Sequence, residues 1–302
     1  MEFLYMLESI RTPFLDGFFS LVTHLGSELV FMVLAVAMYW CVSKSSGLYV
    51  LTVGCLGTTL NQFLKMAFRV PRPWVKDPNF TIVESARADA GGYSFPSGHT
   101  QNAIGTFGCL AMSAKKAWLR IACIVLALLT AFSRMYLGVH TPMDVGVSAV
   151  IAAVMVLALY PLFQGLEQHP VRGLYILGVL ALINIAFLAY AALWPFPADS
   201  DTELLEHGME NAAKLTGALV GMAGGYWLDM KHVRFSTKAP LLGQILKCVL
   251  GLGLLLAIKE GLKPVLGSGI WSGVIRYGLM TLFAAGLWPM TFPWFAKLGG
   301  KK

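Results

Sequence analysis

The stretch Ser133-Arg134-Met135-Tyr136-Leu137-Gly138-Val139-His140-Thr141-Pro142-Met143-Asp144 places an arginine, a histidine and an aspartate inside a strongly apolar sequence. Ionisable side chains at membrane depth are costly and are usually functional. Thr141 and Pro142 are residue types that favour a helix N-cap and a first helical position. Asp144 then lies one turn beyond His140, where a carboxylate can orient the imidazole. We interpret His140 as a candidate nucleophile at an anion site; the alternative is a buried polar cluster that only joins two helices.

The composition predicts an all-α protein that crosses a membrane several times. Of the 302 residues, 57% are hydrophobic and 13% are charged, whereas a soluble protein carries about one quarter charged residues. The net charge of +7 arises in short loops between apolar runs, which favours contact with anionic lipid rather than with nucleic acid. The cysteines are scattered through apolar stretches without metal-binding or disulfide spacing, and we interpret them as core residues.

Apolar runs predict about nine transmembrane helices, each close to the ~20 residues that cross the hydrocarbon core. They cover roughly 24–42, 47–68, 98–113, 118–135, the segment from the opening stretch to 164, 173–194, 211–229, 241–262 and 268–295. Residues 1–17 have the spacing of a helix that lies in the membrane interface. In the seventh run, Gly217 and Gly221 form a pattern of small residues that favours close helix packing.

Two polar loops are long enough to border a site. The first covers 74–95 and the second, 195–210, is acidic. Ser200 and Glu203 have the spacing of a capping box, which predicts a short helix in the second loop. The acidic side chains there could select a substrate head group, but we favour a solvated loop near a helix start. These side chains are Asp199, Asp201, Glu203, Glu206 and Glu210.

Two pairs of charged residues in the last third of the chain have the spacing of structural ion pairs. Glu210 and Lys214 are four residues apart, on one face of a predicted helix. Glu260 and Arg276 lie on successive predicted spans, toward the same membrane face. We expect both pairs to be structural rather than to contact a ligand.

The distribution of basic residues predicts the orientation of the chain. One set of loops contains Lys44, Lys115, Lys116, Arg120, Arg172, Lys231, Arg234, Lys238, Lys297, Lys301 and Lys302. Because cytoplasmic loops are enriched in lysine and arginine, we assign this set and the C-terminus to the cytoplasm. The opening stretch then lies on the periplasmic or extracytoplasmic side of a plasma (inner) membrane.

Three polar clusters fall on that non-cytoplasmic side. Lys65 and Arg72-Pro73 end the second span, Phe95-Pro96-Ser97-Gly98-His99-Thr100 begins the third, and the opening stretch joins the fourth and fifth. A lone lysine could simply reach the interface, and Pro96-Ser97-Gly98 could simply begin a helix. Because all three clusters share one side, we favour a common site.

The cationic residues and the predicted helix start favour binding of a phosphate. Lys65, Arg72 and Arg134 supply positive charges, and an arginine fork matches phosphoryl oxygens. Ser97 and Gly98 begin a helix, whose free backbone N–H groups attract anions. Glycine also allows the backbone to approach the anion closely.

The two histidines can take separate chemical roles at such a site. His140, oriented by Asp144, is suited to attack phosphorus. His99 lies beside the anion-binding amides, where it can protonate the leaving alkoxide and later act as a base toward water. The chain has no carboxylate cluster for Mg²⁺ and no zinc spacing, so we expect catalysis without a metal or a soluble cofactor.

The three motifs together closely resemble the signature of the type 2 phosphatidic acid phosphatase superfamily. They are Lys65-x6-Arg72-Pro73, Pro96-Ser97-Gly98-His99 and Ser133-Arg134-x5-His140-x3-Asp144. The resemblance covers roughly 15–195 and implies a six-helix core, a phosphohistidine on His140, His99 as acid and base, and metal independence. We therefore expect a phosphatase core over 1–195 and a transmembrane extension of about three helices over 196–302.

The resemblance leaves three hypotheses for the function. The first is an integral-membrane phosphatase of a lipid phosphate or diphosphate, such as undecaprenyl diphosphate, phosphatidylglycerophosphate, phosphatidate or a sphingoid phosphate. The second is a phosphatase of a soluble ester such as a sugar phosphate, because the span count also resembles glucose-6-phosphatase. The third is a lipid binder or transporter without activity, which would need the cations but neither histidine. The sequence leaves the oligomeric state open.

Overall fold

The computed structural model describes residues 1–197, 202–267 and 269–298. Over these ranges the chain forms fourteen α-helices and no β-strand. The helices are α1 Glu2–Ser9, α2 Pro13–Thr23, α3 Glu28–Cys41, α4 Lys44–Phe68, α5 Pro73–Lys76, α6 Gly98–Ser113, α7 Ala117–Tyr136, α8 Pro142–Phe163, α9 Val171–Leu193, α10 Thr202–Leu228, α11 Leu241–Gly261, α12 Lys263–Leu266, α13 Ile270–Leu282 and α14 Phe292–Ala296. The turns His24–Gly26, Glu84–Ala86 and Trp288–Thr291 are 3₁₀-helical, and Asp229–Val233 and Phe283–Leu287 are π-helical. The all-α prediction is confirmed.

Five of the described helices are long and apolar enough to cross a membrane, against about nine predicted spans. They are Ala117–Tyr136, Pro142–Phe163, Val171–Leu193, Leu241–Leu266 and Ile270–Ala296, and the bent pair Pro13–Gly26 and Glu28–Cys41 would make a sixth. Each of the other predicted runs is also helical. Two of them, α3 and α6, have only 14 and 16 residues. The remaining two, α4 and α10, carry more polar side chains along their length.

The five helices expose large apolar side chains, as a lipid environment requires. Only between 22% and 33% of the apolar window in each is buried. Leu128 of α7, Val150 of α8, Leu182 of α9 and Val249 of α11 are each more than half exposed. Such a continuous apolar exposure is unfavourable in water and matches a protein that lies in a bilayer.

The N-terminal segment forms two helices where the sequence predicted one. Thr12 caps α2, because its side chain accepts a hydrogen bond from the backbone N–H of Leu15, and Pro13 occupies the first helical position. This pair of residues begins a new helix and ends α1 at Ser9. Residues 1–17 therefore do not form a single interfacial helix.

The chain divides into two compact units. The first contains Met1–Met32, Val53–Pro161 and residues 202–205, and therefore all three polar clusters. Its aromatic core includes Phe19 and Tyr136, whose ring centroids are 4.4 Å apart. The second contains Val33–Thr52, Leu162–Pro197 and the chain from Glu206 onward.

The polar loop 74–95 is well ordered by its contacts within the first unit. Arg11 donates hydrogen bonds to the carbonyl oxygens of Thr81 at 2.9 Å and Tyr136 at 3.1 Å. The backbone N–H of Val83 donates to the carbonyl of Leu137 at 3.1 Å. The loop is thereby fixed to the end of α7, immediately before His140.

The predicted acidic loop is largely a helix. Because α10 begins at Thr202, Glu206 and Glu210 lie on this helix rather than in a loop. The predicted capping residue Ser200 lies outside the described residues, as do Asp199 and Asp201, so the capping box stays a prediction.

One of the two predicted ion pairs forms. Lys214 donates to Glu210 at 3.0 Å, as the i,i+4 spacing indicated. The Glu260–Arg276 prediction is wrong among the described residues, because Glu260 pairs with its neighbour Lys259 at 3.4 Å. Arg276 instead donates from Nε to a backbone carbonyl one turn earlier in α13.

The cysteines are free thiols, but two of them lie next to each other in the fold. The sulfur atoms of Cys41 and Cys248 are 3.2 Å apart, although 207 residues separate them in the sequence. This pairing of α3 with α11 was invisible in the cysteine spacing, because it depends on how the helices pack.

Close packing of α10 against α13 explains Gly217 and Gly221 in the seventh apolar run. A Cβ atom on Gly217 would overlap the carbonyl of Val274, and one on Gly221 would overlap the carbonyl of Gly278. Only glycine allows two helix backbones to approach this closely. The predicted close contact is confirmed.

We expect Gly221→Ala to lower the stability of the protein by about 1–3 kcal/mol, the usual cost of overpacking a tight contact. Gly224→Ala is the matched control in the same helix, because its Cβ would meet only Leu282 Cδ1, at an ordinary 3.5 Å. Thermal unfolding of both purified variants in detergent measures the difference. An equal melting temperature for the two variants would contradict the packing argument.

Candidate active site

The imidazole of His140 is fixed from both sides. Its Nε2 lies 2.9 Å from Nη1 of Arg72, and its Nδ1 lies 3.6 Å from Oδ2 of Asp144. A guanidinium can only donate, so Nε2 must accept and the ring proton must be on Nδ1. Burial, and then the charge of Arg72, hold the pKa of His140 well below its ordinary value. The neutral ring therefore presents an unprotonated Nε2, the form that a nucleophile requires.

Asp144 is held by a reciprocal cap at the start of α8. Its carboxylate accepts a hydrogen bond from the N–H of Thr141 at 2.7 Å, and its own N–H donates to Thr141 Oγ1 at 3.3 Å. The prediction of Thr141 as N-cap, Pro142 as first helical residue and Asp144 one turn beyond His140 is confirmed. Ser94, which the sequence reasoning missed, donates to the same carboxylate at 2.6 Å and lies 3.5 Å from His140 Nδ1.

A glycine turn delivers His140 to this position. The N–H groups of Val139 and His140 both donate to the carbonyl of Arg134, at 3.1 and 3.2 Å, and so close the end of α7. Gly138 within this turn has φ +82, a conformation that side chains disfavour. A Cβ there would also approach the ring of Phe80 to 3.0 Å.

The second motif contacts the third through its backbone. Ser97 caps α6, accepting a hydrogen bond from the N–H of Thr100, and its own N–H donates to the carbonyl of Asp144 at 3.2 Å. Gly98 is the first residue of α6, and a Cβ there would have only Asn61 Oδ1 within 4 Å. The predicted helix start at Ser97–Gly98 is confirmed.

His99 follows in the first turn of α6. Its Nε2 is buried and has no hydrogen-bond partner among the described residues. Gly26 packs directly on its backbone, because a Cβ at that glycine would overlap the His99 carbonyl. An unpaired buried nitrogen is costly, so this atom is available to a bound group.

Lys65 and Arg72, from the first motif, bind the backbone of residues 91–93, which precede the second motif. Arg72 donates from Nε to the carbonyl of Gly92 at 2.9 Å and from Nη2 to the carbonyl of Gly91 at 2.8 Å. Its Nη1 also donates to the carbonyl of Val139 at 3.0 Å. Lys65 donates to the carbonyl of Tyr93 at 2.7 Å. Burial lowers the pKa of Arg72 to about 10, so the guanidinium keeps its charge at neutral pH.

Arg134 offers the clearest free donors. It is fully buried, and its Nη1 donates to Thr23 Oγ1 at 2.6 Å. Its Nε and Nη2 are buried and have no partner among the described residues. Nε and Nη2 form the edge of a guanidinium that binds two oxygens of one anion side by side.

The structure therefore brings together all of the predicted site residues in the first unit. Lys65, Arg72 and Arg134 are near enough to both histidines to act on them electrostatically. Sequence reasoning missed the supporting contacts of Ser94 and of the carbonyls in residues 91–93. The only signal for them was their position just before the second motif. No group of three His, Cys, Asp or Glu side chains that could hold a metal ion occurs within the described ranges.

Comparison with known proteins places this arrangement among phosphatases. The chain is 28% identical to a probable sphingosine-1-phosphate phosphatase of Dictyostelium discoideum, over 92% of this chain and 69% of that protein. It is 34% identical to undecaprenyl-diphosphatase BcrC of Bacillus subtilis, over 37% and 55% of the two chains. Phosphatidylglycerophosphatase B of the same bacterium is 31% identical, over 45% and 69%. No solved structure matches the chain.

Two family models match in succession. Residues 46–167 match the PAP2 superfamily, and residues 213–301 match the transmembrane extension of PAP2 superfamily phosphatases. The first match includes all three polar motifs. The second covers α11 and α13 and most of α10. The chain therefore belongs to the PAP2 superfamily and is a multi-pass membrane phosphatase with that superfamily's transmembrane extension.

Proposed function

We propose that the protein hydrolyses a lipid phosphate or diphosphate through a phosphohistidine on His140. The observation that carries this proposal is the position of His140 Nε2 at 2.9 Å from Nη1 of Arg72, while Asp144 and Ser94 face the other ring nitrogen. A binding protein needs cations but no such nucleophile. The substrate class is a phosphate or diphosphate of the undecaprenyl, phosphatidylglycerol, phosphatidate or sphingoid type.

In the first step, Nε2 of His140 attacks phosphorus and the P–O bond to the leaving group breaks. Nη1 of Arg72 exchanges its contact with Nε2 for a phosphoryl oxygen as the new P–N bond forms. Arg134 binds two oxygens through Nε and Nη2, and Lys65 adds a third cation. Asp144 stabilises the positive charge that develops on the ring.

The helix start and His99 complete this step. The N–H of Ser97 donates to the Asp144 carbonyl, so the N–H of Gly98 and the positive end of the α6 dipole remain to stabilise the developing negative charge. His99 donates a proton to the leaving oxygen, so that an alcohol or phosphate rather than an alkoxide departs.

In the second step, His99 accepts a proton from water, and the water oxygen attacks phosphorus. The P–N bond breaks, His140 regains its lone pair, and inorganic phosphate leaves. Fixed cations and backbone donors stabilise both transition states in a buried site, where their effect is strong. This mechanism uses no metal ion.

An apolar groove beside the catalytic segment supports a lipid substrate. It has a volume of about 400 Å³ and is lined by Phe3, Met135, Pro142, Val145 and Gly146. Pro142, Val145 and Gly146 lie two to six residues after His140, on either side of Asp144. A hydrocarbon chain in this groove would leave its phosphate next to the histidine, whereas a sugar phosphate gains nothing from it. The relatives named above are phosphatases of lipids as well.

We also propose that the core ends near residue 195 and that the extension follows, because the two family matches lie on either side of this point. The protein would reside in a plasma (inner) membrane with its active site on the extracytoplasmic side. The enrichment of lysine and arginine in the opposite loops supports this orientation.

The wild-type protein in EDTA should release phosphate from at least one of sphingosine 1-phosphate, undecaprenyl diphosphate, phosphatidylglycerophosphate and phosphatidate, in preference to glucose 6-phosphate. His140→Ala should lower the rate at least about a thousandfold, because it removes the nucleophile. The measurement is release of inorganic phosphate in mixed micelles. His169→Ala is the control, since this histidine is exposed in the turn before α9. Near-normal turnover by His140→Ala would exclude a phosphohistidine intermediate. A preference for glucose 6-phosphate would exclude a lipid phosphate as the substrate.

Ser94 should act as a positioning residue. Because a hydrogen bond to a charged group contributes about 1.5–3 kcal/mol, Ser94→Ala should lower kcat about 10- to 100-fold. KM should change little, since Ser94 contacts Asp144 rather than a phosphate ligand. Ser94→Thr keeps the hydroxyl and should restore part of the rate. If Ser94→Ala changed KM alone, the positioning role would be wrong.

A reporter active only in the cytoplasm should be functional when fused after Lys302. The same reporter fused at the N-terminus should be inactive, because the loops with most basic residues lie on the other side of the membrane. Reporter activity and protease protection in intact cells measure this orientation. The reversed pattern would overturn it.

A further inference from the structure

The second unit contains a polar cavity that no step of the proposed hydrolysis uses. Its volume is about 580 Å³, and it lies among the connections α3–α4, α8–α9 and α10–α11. Its charged lining residues are Lys44, Glu167, Asp229, Arg234 and Lys238. None of the proposed catalytic residues lines it.

A buried ion pair builds one wall of this cavity. Lys44 pairs with Asp229, whose side chain is only 3% exposed. Asp229 also accepts hydrogen bonds from the backbone, from the N–H of Phe235 to its carboxylate at 3.0 Å and from the N–H of Arg234 to its carbonyl at 2.7 Å. Lys44 Nζ further lies 3.9 Å from the ring centroid of Phe235. These two charges neutralise each other, so they shape the wall and do not attract a ligand.

Two other cations in the lining remain available. Arg234 and Lys238 are exposed, and neither forms an ion pair with a described residue. They face one unpaired carboxylate, that of Glu167, so the remaining charge of the lining is positive. A cavity with this lining favours a phosphate group over a neutral or cationic ligand.

The backbone of Arg234 adopts a conformation that side chains disfavour. It has φ 49 and ψ 45, the left-handed conformation that ends the π-turn Asp229–Val233. Glycine or asparagine usually occupies such a position, because a Cβ is disfavoured there. An arginine at this position carries that strain while its side chain lines the cavity.

An apolar cavity adjoins the polar one across the segment 234–238. It also has a volume of about 580 Å³ and shares Arg234, Phe235, Ser236 and Lys238 with it. Its opposite wall is formed by Pro289, Met290, Phe292, Pro293 and Ala296. Two cations therefore lie between a polar compartment and an apolar one, the arrangement that the two ends of a phospholipid require.

We propose that these adjoining cavities bind an anionic phospholipid at a site separate from the catalytic residues. Its phosphate contacts Arg234 and Lys238, its polar head-group substituent enters the polar cavity, and one acyl chain lies against Met290 and Ala296. This site does not depend on the proposed hydrolysis, because none of its residues takes part in that reaction. A free phosphate shares the head-group chemistry but would leave the apolar cavity unused.

The test measures binding of dioctanoyl phosphatidylglycerol to the full chain in detergent, in the His140→Ala background so that no hydrolysis intervenes. Native mass spectrometry and ligand-dependent thermal shift are the two readouts. Dioctanoyl phosphatidylcholine and inorganic phosphate are the comparison ligands. We expect saturable binding of phosphatidylglycerol and at least about tenfold weaker binding of the other two.

The variant Arg234→Gly is the sharpest probe, because glycine suits the left-handed backbone and removes only the cation. It should keep or raise the melting temperature while weakening phosphatidylglycerol binding about tenfold, and Lys238→Ala should add to this loss. Lys231→Ala with Lys297→Ala is the control of equal charge, since neither residue lines either of these two cavities. Ala296→Trp fills the apolar cavity. It should weaken binding of phosphatidylglycerol without changing the binding of inorganic phosphate.

Unchanged lipid affinity in Arg234→Gly with Lys238→Ala would overturn the proposal. Equal binding of inorganic phosphate and phosphatidylglycerol would overturn it as well, in favour of a simple anion site. The Lys231 and Lys297 control should keep its lipid affinity. If it lost as much affinity as the site variants, the effect would come from overall charge and the proposal would be wrong.

Discussion

The carboxylate of Asp144 is the group on which the arrangement of the proposed active site depends. It accepts hydrogen bonds from the N–H of Thr141 and from Ser94, and it faces Nδ1 of His140. The carbonyl of the same residue accepts from the N–H of Ser97. One residue thus caps α8, orients the proposed nucleophile and ties the second motif to the third. A buried carboxylate with several donors is stable, whereas removing one partner leaves a costly buried charge.

The surrounding charges favour an anion at the proposed site. Lys65, Arg72, Arg134 and His140 are all buried, and Asp144 is the carboxylate that lies among them. Backbone carbonyls of residues 91–93 offset part of this excess positive charge. Arg134 keeps two nitrogens without partners among the described residues, and a phosphoryl group would satisfy both. Unpaired buried donors lower stability, but they are what electrostatic preorganisation of the proposed active site would require.

The second unit differs from the first in its packing and in the position of its charges. Its helices pack through glycines, and Asp229 fastens the π-turn and the segment behind it. At the proposed lipid site, positive charge lies at the exposed side chains of Arg234 and Lys238, which form no ion pair with a described residue. Such an arrangement suits a lipid that arrives from the bilayer and stays intact, while the buried cluster of the first unit suits chemistry on phosphorus.

The sequence by itself determined the helical class and the helix starts at Ser97 and Pro142, and it predicted the eight residues of the proposed site. These features follow from local rules: apolar runs of sufficient length, side-chain caps, and residue types that tolerate burial only for a purpose. The tertiary structure alone decided the partners: Ser94 on Asp144, Arg72 on His140, Cys41 beside Cys248, and Lys259 rather than Arg276 beside Glu260. Each of these contacts depends on the distance and rotation between packed elements. No local spacing encodes that information, because side chains far apart in the chain meet only after the helices have packed.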